Sequence, residues 1–168
     1  MKILSASETK KISAVAKKLN VPGEWLFNLL RFESGFNPSA KNPRSSARGL
    51  IQFTDSTAQN LGFDDSAALV RQYPDFSRQL EKAVYPYLKN FAPFPTRQAL
   101  YMSVFYPAFR YVSPDTVFSP DIRAVNPGIA RVQDYIDRVD GRAIKTASGL
   151  LALIAIGFAV YFLTKGKR

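Results

Sequence analysis

Residues 22–35, Pro22-Gly23-Glu24-Trp25-Leu26-Phe27-Asn28-Leu29-Leu30-Arg31-Phe32-Glu33-Ser34-Gly35, set one carboxylate into an apolar helical stripe. Proline is accepted in a first helical turn. Leu26, Leu29, Leu30 and Glu33 recur at the spacing of one buried helix face. Gly35 supplies the stop. Glu33 therefore lies on the apolar face, in the last turn. Desolvation there disfavours the charged carboxylate and raises its pKa. A general acid needs that environment, because it must hold a proton near neutral pH. A lone glutamate at a helix end is more commonly exposed or paired, so Glu33 by itself decides little.

The surrounding chain is also helical in pattern. Ser5 and Glu8 have capping-box spacing, and Ile12, Val15, Ala16 and Leu19 form the stripe that follows. Asn20 and Pro22 close that helix. Residues 35–53 are a loop punctuated by Pro38, Pro43 and Gly49. A short helix follows, capped by Thr54 or Asp55 and closed by Gly62. Another is expected over 75–91, with Phe76, Leu80, Ala83, Val84, Tyr87 and Leu88 inward. The segment 96–106 is nearly all apolar apart from Arg97 and Gln98, which predicts a buried central helix. Pro107, Pro114, Pro120 and Pro127 predict an irregular stretch, and the last soluble helix is expected over 128–139. No strand-like alternation persists. The expected fold class is all-α.

Composition removes whole classes of chemistry. The 168 residues contain no cysteine and no histidine. Disulfides, thiol nucleophiles, Cys/His zinc sites and Ser-His-Asp triads are excluded. Carboxylates, hydroxyls, Lys and Arg remain. The formal net charge is +10, which favours polyanionic partners. The basic residues are scattered, however, and only Phe109-Arg110-Tyr111 interleaves aromatic and basic residues as a nucleic-acid surface would. Nucleic acid is thus not the expected partner.

The N-terminal residues carry Lys and Glu throughout and lack the apolar core of a secretory signal. Residues 147–163, ASGLLALIAIGFAVYFL, contain no charge. Lys145 precedes them, and Lys165, Lys167 and Arg168 follow. The expectation is a helical domain over 1–142 and a single membrane span with a basic tail over 143–168, so that a lipid membrane is a partner. Basic residues on both sides leave the orientation open.

Two motifs sharpen the reading of Glu33. Glu33-Ser34-Gly35-Phe36-Asn37-Pro38-Ser39-Ala40 resembles the opening motif of the lytic transglycosylase (SLT) and goose-type lysozyme-like family. Ala47-Arg48-Gly49-Leu50-Ile51-Gln52-Phe53 is similar to that family's Ala-x-Gly-Leu-Met-Gln segment, and Thr57-Ala58 to the opening of its next helix. The core resemblance covers residues 33–58 and extends more weakly to about 139. It implies a lysozyme-like helical fold. It also implies that Glu33 is the single catalytic acid/base, that Gln52 lines the sugar groove beside Ile51, and that Gly49 lets the backbone approach substrate. Ser34 and Phe53, within the same motifs, join them as substrate contacts.

Three departures stand out. The loop between Ala40 and Ala47 is one residue longer than the family pattern. Asn42 replaces a family serine, with Ser45 or Ser46 as substitutes. The family's Ala-Tyr-Asn motif falls on Val104-Phe105-Tyr106-Pro107. Strict alignment puts Phe105 on the tyrosine; an offset of one makes Tyr106 the expected partner of Glu33. Arg131-Val132-Gln133-Asp134-Tyr135-Ile136 is similar to the family's closing helix, which makes Tyr135 a secondary groove candidate.

The resemblance implies cleavage of the β-1,4 bond between N-acetylmuramic acid and N-acetylglucosamine in peptidoglycan, with no metal or organic cofactor. Two-carboxylate glycosidases need a second acid. Asp55, Asp64 and Asp65 are the only others near the motifs, and Asp55 reads better as a helix cap. The single-acid route is favoured. The alternative is a non-catalytic, membrane-anchored structural or glycan-binding protein of the same fold. A wall-cutting domain with a C-terminal anchor and no export signal suits a bacteriophage with an internal lipid membrane. There it would sit among virion capsid or membrane proteins and open the wall during genome delivery. The bacterial cell envelope is the alternative location.

Overall fold

The computed structural model describes residues 2–141. The expected membrane span over 147–163, and with it the boundary at 142/143, lies outside the described residues. Among those residues no helix is long and apolar enough to cross a membrane.

Helices dominate the described chain, and its β-structure amounts to isolated bridges: Lys41 with Arg48, Arg48 with Phe53, and Val117 with Arg131. Helix α1 spans Ala6–Lys18. The Ser5 hydroxyl caps the Glu8 N–H, and the Glu8 carboxylate accepts the Ser5 N–H at 2.9 Å. Helix α2 spans Gly23–Ser34 and ends at Gly35, which adopts the left-handed conformation at φ 58°. Leu26, Leu29 and Leu30 are fully buried, as their spacing predicts. Each such side chain contributes roughly 2 kcal/mol by leaving water. Helix α2 packs against α1 and against the two helices that complete the site, α7 (Arg97–Phe105) and α9 (Val132–Val139). Every residue of α7 from Gln98 to Phe105 is buried, so it is the central helix its composition predicts.

Several boundaries differ from the sequence reading. Thr54, not Asp55, caps α3 (Asp55–Asn60). A helix absent from that reading, α4 (Ser66–Gln72), follows, capped by the Asp65 side chain. Only Ser66 and Leu69 of α4 are buried, so it has almost no apolar stripe to betray it. The expected helix over 75–91 is helical from Phe76 to Lys89. It runs as α5 (Phe76–Gln79), a π turn (Leu80–Val84) and α6 (Tyr85–Lys89). The proline-rich stretch holds a 3-10 turn, Pro107–Phe109, and α8, Pro120–Val125. In both, proline opens the helical turn, where its missing N–H costs nothing. Helix α9 begins at Val132 rather than Gly128. Gly128 is left-handed at φ 77°, and Arg131 is extended. The Asp134 carboxylate accepts the N–H groups of Ala130 and Arg131 there, at 3.0 and 2.8 Å, and fixes the helix start.

Candidate active site

Helix α2 delivers Glu33 into the interior, where the residue is only 6% exposed. Its Oε1 accepts a hydrogen bond of 2.7 Å from the Tyr135 hydroxyl, which α9 supplies. Its Oε2 is buried and, among the described residues, has no hydrogen-bond partner. Burial pushes the carboxyl pKa up to about 7, against the opposing pull of the Tyr135 bond. The arrangement is a proton held on a carboxyl near neutral pH, one oxygen oriented and the other uncommitted. That is what a general acid that later turns base requires.

Tyr135 is itself held. Its ring stacks on Phe105 of α7 at 4.1 Å with planes 8° apart, and meets the edge of Phe32 at 5.6 Å. The residue aligned with the family tyrosine thus serves as the platform that aims another tyrosine. The expected pairing of Tyr106 with Glu33 is corrected accordingly: Tyr135 is the donor. The physical reason lies at the end of α7. Tyr106 is its extended C-cap, at φ −145° and ψ 96°, and its ring turns to Phe105, Phe109 and Phe118.

The loop that follows Glu33 is cross-braced rather than open. The Ser34 hydroxyl lies 3.0 Å from the Leu50 carbonyl and 3.2 Å from that of Leu30, tying the helix end to the loop. Gln52 is left-handed at φ 55°, and its side-chain amide donates to the Gly49 carbonyl at 2.9 Å. Ile51 and Phe53 are buried core residues, at 2% and 1% exposure, and Phe53 meets Tyr87 edge-on. Their side chains support the loop from beneath instead of lining an open surface. Asn42 accepts the Arg44 N–H through its side chain, Ser45 accepts the Ala47 N–H and Ser46 the Asp55 N–H. These groups hold the longer loop together.

Gly49 has φ 77°, a conformation that L side chains rarely adopt. A Cβ at this position would sit 2.5 Å from the Gln79 amide oxygen. The close approach that requires glycine is therefore to Gln79, a residue absent from the sequence-based candidates. Gln79 is fully buried. It accepts the Leu50 N–H at 2.6 Å and donates to the carbonyls of Pro38 and Tyr73 at 3.0 and 2.9 Å. A signal for it did exist: Gln79 falls on the stripe of Phe76, Leu80 and Ala83, a polar residue on an apolar face exactly where Glu33 stands on its own helix. Tyr87, expected only as an inward residue, is the other addition. Its hydroxyl donates to the Ser103 carbonyl at 2.7 Å, and its pKa is raised by burial first and then by Glu33.

Two of the other acidic candidates, Asp55 and Asp65, are engaged elsewhere. Asp55 accepts the N–H and hydroxyl of Ser66 at 3.0 and 2.8 Å, and these bonds hold its carboxyl below the usual range. It staples α3 to α4. Asp65 caps α4. Glu33 is the carboxylate that burial has prepared for proton transfer.

Tyr135→Phe keeps the ring stack and removes the hydroxyl. One such bond is worth about 1–1.5 kcal/mol, so turnover is expected to fall about tenfold. The bond lowers the Glu33 pKa, so its loss should move the acidic group's titration to higher pH. A pH–rate profile of the variant that superimposes on the parent's would refute this role for Tyr135.

Residues 10–84 match the family model described as Transglycosylase SLT domain. That match covers α1 from Lys10 onward, α2, the braced loop with Glu33 and Gln52, and the chain to the end of the π turn. It stops before Phe105 and Tyr135. No curated protein matches the chain, and no solved structure does.

Proposed function

We propose that this chain is a peptidoglycan lytic transglycosylase that cleaves the β-1,4 bond between N-acetylmuramic acid and N-acetylglucosamine. The SLT match supports lytic transglycosylase activity in general and implies glycan strands of peptidoglycan as substrate. The observation that carries the reading to this chain's residues is the buried Glu33, held by Tyr135 through one oxygen and raised to about 7 by burial.

In the proposed reaction Glu33 donates its proton to the glycosidic oxygen as the C1–O bond breaks and positive charge develops at C1 of the muramoyl residue. The carboxylate left behind then takes the proton of the muramoyl 6-hydroxyl, whose oxygen closes on C1. The product is a 1,6-anhydro sugar, and Glu33 regains its proton. Were Glu33 to activate water instead, hydrolysis would follow and the new end would be reducing. Asp55 is committed to Ser66 and Asp65 to the start of α4, which favours the intramolecular route over one that needs a second carboxylate. Mass spectrometry of muropeptides released by the purified chain separates the outcomes, because the two ends differ by one water. Anhydro ends are expected. Reducing ends would redefine the enzyme as a hydrolase. No release at all would favour the non-catalytic glycan-binding alternative.

The uncharged segment 147–163 with its basic flanks supports a further part of the proposal, a single-pass membrane tether. The setting proposed for it is the internal membrane of a bacteriophage virion, where local wall cleavage would serve genome delivery. Co-flotation of the full chain with lipid vesicles, lost on deletion of 147–163, tests the tether.

A further inference from the structure

Helices α2, α7 and α9 meet at two levels. The first is the site: Tyr135 of α9 donates to Glu33 of α2 at 2.7 Å and stacks on Phe105 of α7 at 4.1 Å. The second lies one turn away on α7 and α9, outside the site. There Asp140, the C-cap of α9, accepts the Tyr101 hydroxyl at 2.8 Å through Oδ1, and Arg97 Nη1 lies 3.1 Å from its Oδ2. Arg97 and Tyr101 both belong to α7. Arg31 of α2 donates from Nη2 to the Val139 carbonyl of α9 at 3.0 Å. The Asp140 side chain is 9% exposed, and Tyr101 is fully buried. A Cβ on Gly141 would stand 3.0 Å from Arg31 Nη2, so the chain passes close beneath that guanidinium.

The two levels share one face of each helix. Tyr101 and Phe105 stand one turn apart on α7, as do Tyr135 and Val139 on α9. The later residue of α7 meets the earlier residue of α9, so the two helices run antiparallel. The start of α7 then lies beside the end of α9. Arg97 opens α7, and Asp140 closes α9. A cation at a helix N-terminus and an anion at a C-terminus both oppose the macrodipole of their own helix. Against the neighbouring helix each sign is favourable: Asp140 faces the start of α7, and Arg97 and Arg31 face the end of α9. The charges therefore favour one docking of α9. A slip by one turn, about 5.4 Å, would part Asp140 from Tyr101 and Arg97. The same slip would carry the Tyr135 hydroxyl away from Glu33.

We propose that Asp140, held by Arg97 and Tyr101, is a positioning residue that fixes the register of α9 and so places the Tyr135 hydroxyl on the Glu33 carboxyl. Its effect passes through Tyr135 and not through the reacting atoms. This rests on the reading of Glu33 as the acid and deepens it. The geometry of the acid is set by a charge pair one turn beyond the tyrosine that holds it.

The test follows Glu33 itself, in the full chain in detergent, by carbon-13 NMR of the glutamate carboxyls. The chain has four glutamates, and the resonance lost in Glu33→Gln identifies the one that matters. The sign of the shift separates the causes. Removing the Asp140 anion while Arg97 stays favours ionisation of Glu33 through space and lowers its pKa, and so does admitting water. Losing the Tyr135 bond raises it, because that bond lowers the Glu33 pKa. Asp140→Ala is expected to move the Glu33 titration to higher pH, in the direction of Tyr135→Phe and no further. In the Tyr135→Phe background it should add no rise. Asp140→Asn, which can still accept from Tyr101, should restore part of the parent's titration. Turnover should fall about three- to tenfold in Asp140→Ala, bounded by the loss of one hydrogen bond. An unmoved or lowered titration in folded Asp140→Ala overturns the positioning role, as does an equal rise in the Tyr135→Phe background. If Asp140→Ala does not fold, Tyr101→Phe, which removes one hydroxyl and no charge, decides by the same signs. The titration needs no activity. A rise without peptidoglycan cleavage by the parent keeps the link from Asp140 to Glu33 and removes the transglycosylase reading. Cleavage by the parent with an unmoved titration does the reverse.

Discussion

Glu33→Gln is expected to lower peptidoglycan cleavage by about 10²–10⁴-fold, the range for loss of a general acid, and to make the folded chain more stable above neutral pH. Both effects have one cause. The carboxyl is raised to about 7 in the fold, from a reference near 4.5, because ionising it there places a charge out of water. Below pH 4.5 folded and unfolded chains both hold the proton, and the group is neutral in its effect. Between 4.5 and 7 the unfolded chain has released the proton and the folded chain has not. The folded state binds more protons, so stability falls as pH rises across this window. Above 7 the loss is complete, at about 3 kcal/mol from the shift of 4.5 to 7. Glutamine carries no charge to desolvate. Urea unfolding should therefore show the variant stabilised at pH 8 by up to about 3 kcal/mol and close to the parent at pH 4. A parent whose unfolding free energy shows no extra decline between pH 4.5 and 7 relative to Glu33→Gln would mean that Glu33 is not buried as an acid. The same titration governs activity. The acid form is lost as pH rises through about 7, so the parent's cleavage rate should decline on that side.

Much of this was legible in short stretches of sequence. The stripe of Leu26, Leu29, Leu30 and Glu33 gave both the helix and the buried acid, because an α-helix returns to the same face every three to four residues. Ser5 with Glu8, Gly35 and the apolar run of α7 were equally local signals, and the fold kept them. Helices α4 and α8 escaped notice because six or seven residues with little or no buried surface carry hardly any periodicity. The partner of Glu33 escaped for another reason. Tyr135 is 102 positions away, and the choice between it and Tyr106 depends on how α7 ends and how α9 packs. Local pattern contains neither quantity. Phe105 illustrates the limit: by alignment it was a lost hydroxyl, whereas in the fold it is the ring on which the working hydroxyl rests. The substrate contacts expected at Ile51 and Phe53 were apolar residues in a motif, and a motif does not say which of its side chains face inward.

Gln79→Leu should cost about 3–5 kcal/mol of stability, a large share of the 5–15 kcal/mol typical of a whole domain. Leucine nearly matches the volume and supplies no polar atom. The substitution would strand the Leu50 N–H and the Pro38 and Tyr73 carbonyls, three groups that the one amide now satisfies. Each buried polar group left without a partner costs about 1–3 kcal/mol, less than additively when the backbone can relax toward water. Relaxation is the part that bears on function. Leu50 accepts from Ser34 through its carbonyl while donating to Gln79 through its N–H. Release of one end therefore loosens the residue next to Glu33. Urea midpoints give the global loss, and hydrogen exchange at the Gly49 and Leu50 amides locates it. Faster exchange at these amides than global unfolding allows, with cleavage reduced in the population still folded, is the expected pair of results. A cost below about 1 kcal/mol would instead show that the bridges of Arg48 to Phe53 and Gly49 to Ala40 hold the loop unaided. In that case the polar residue on the apolar stripe of α5 would have no structural reason to be there, and the parallel with Glu33 on α2 would fail with it.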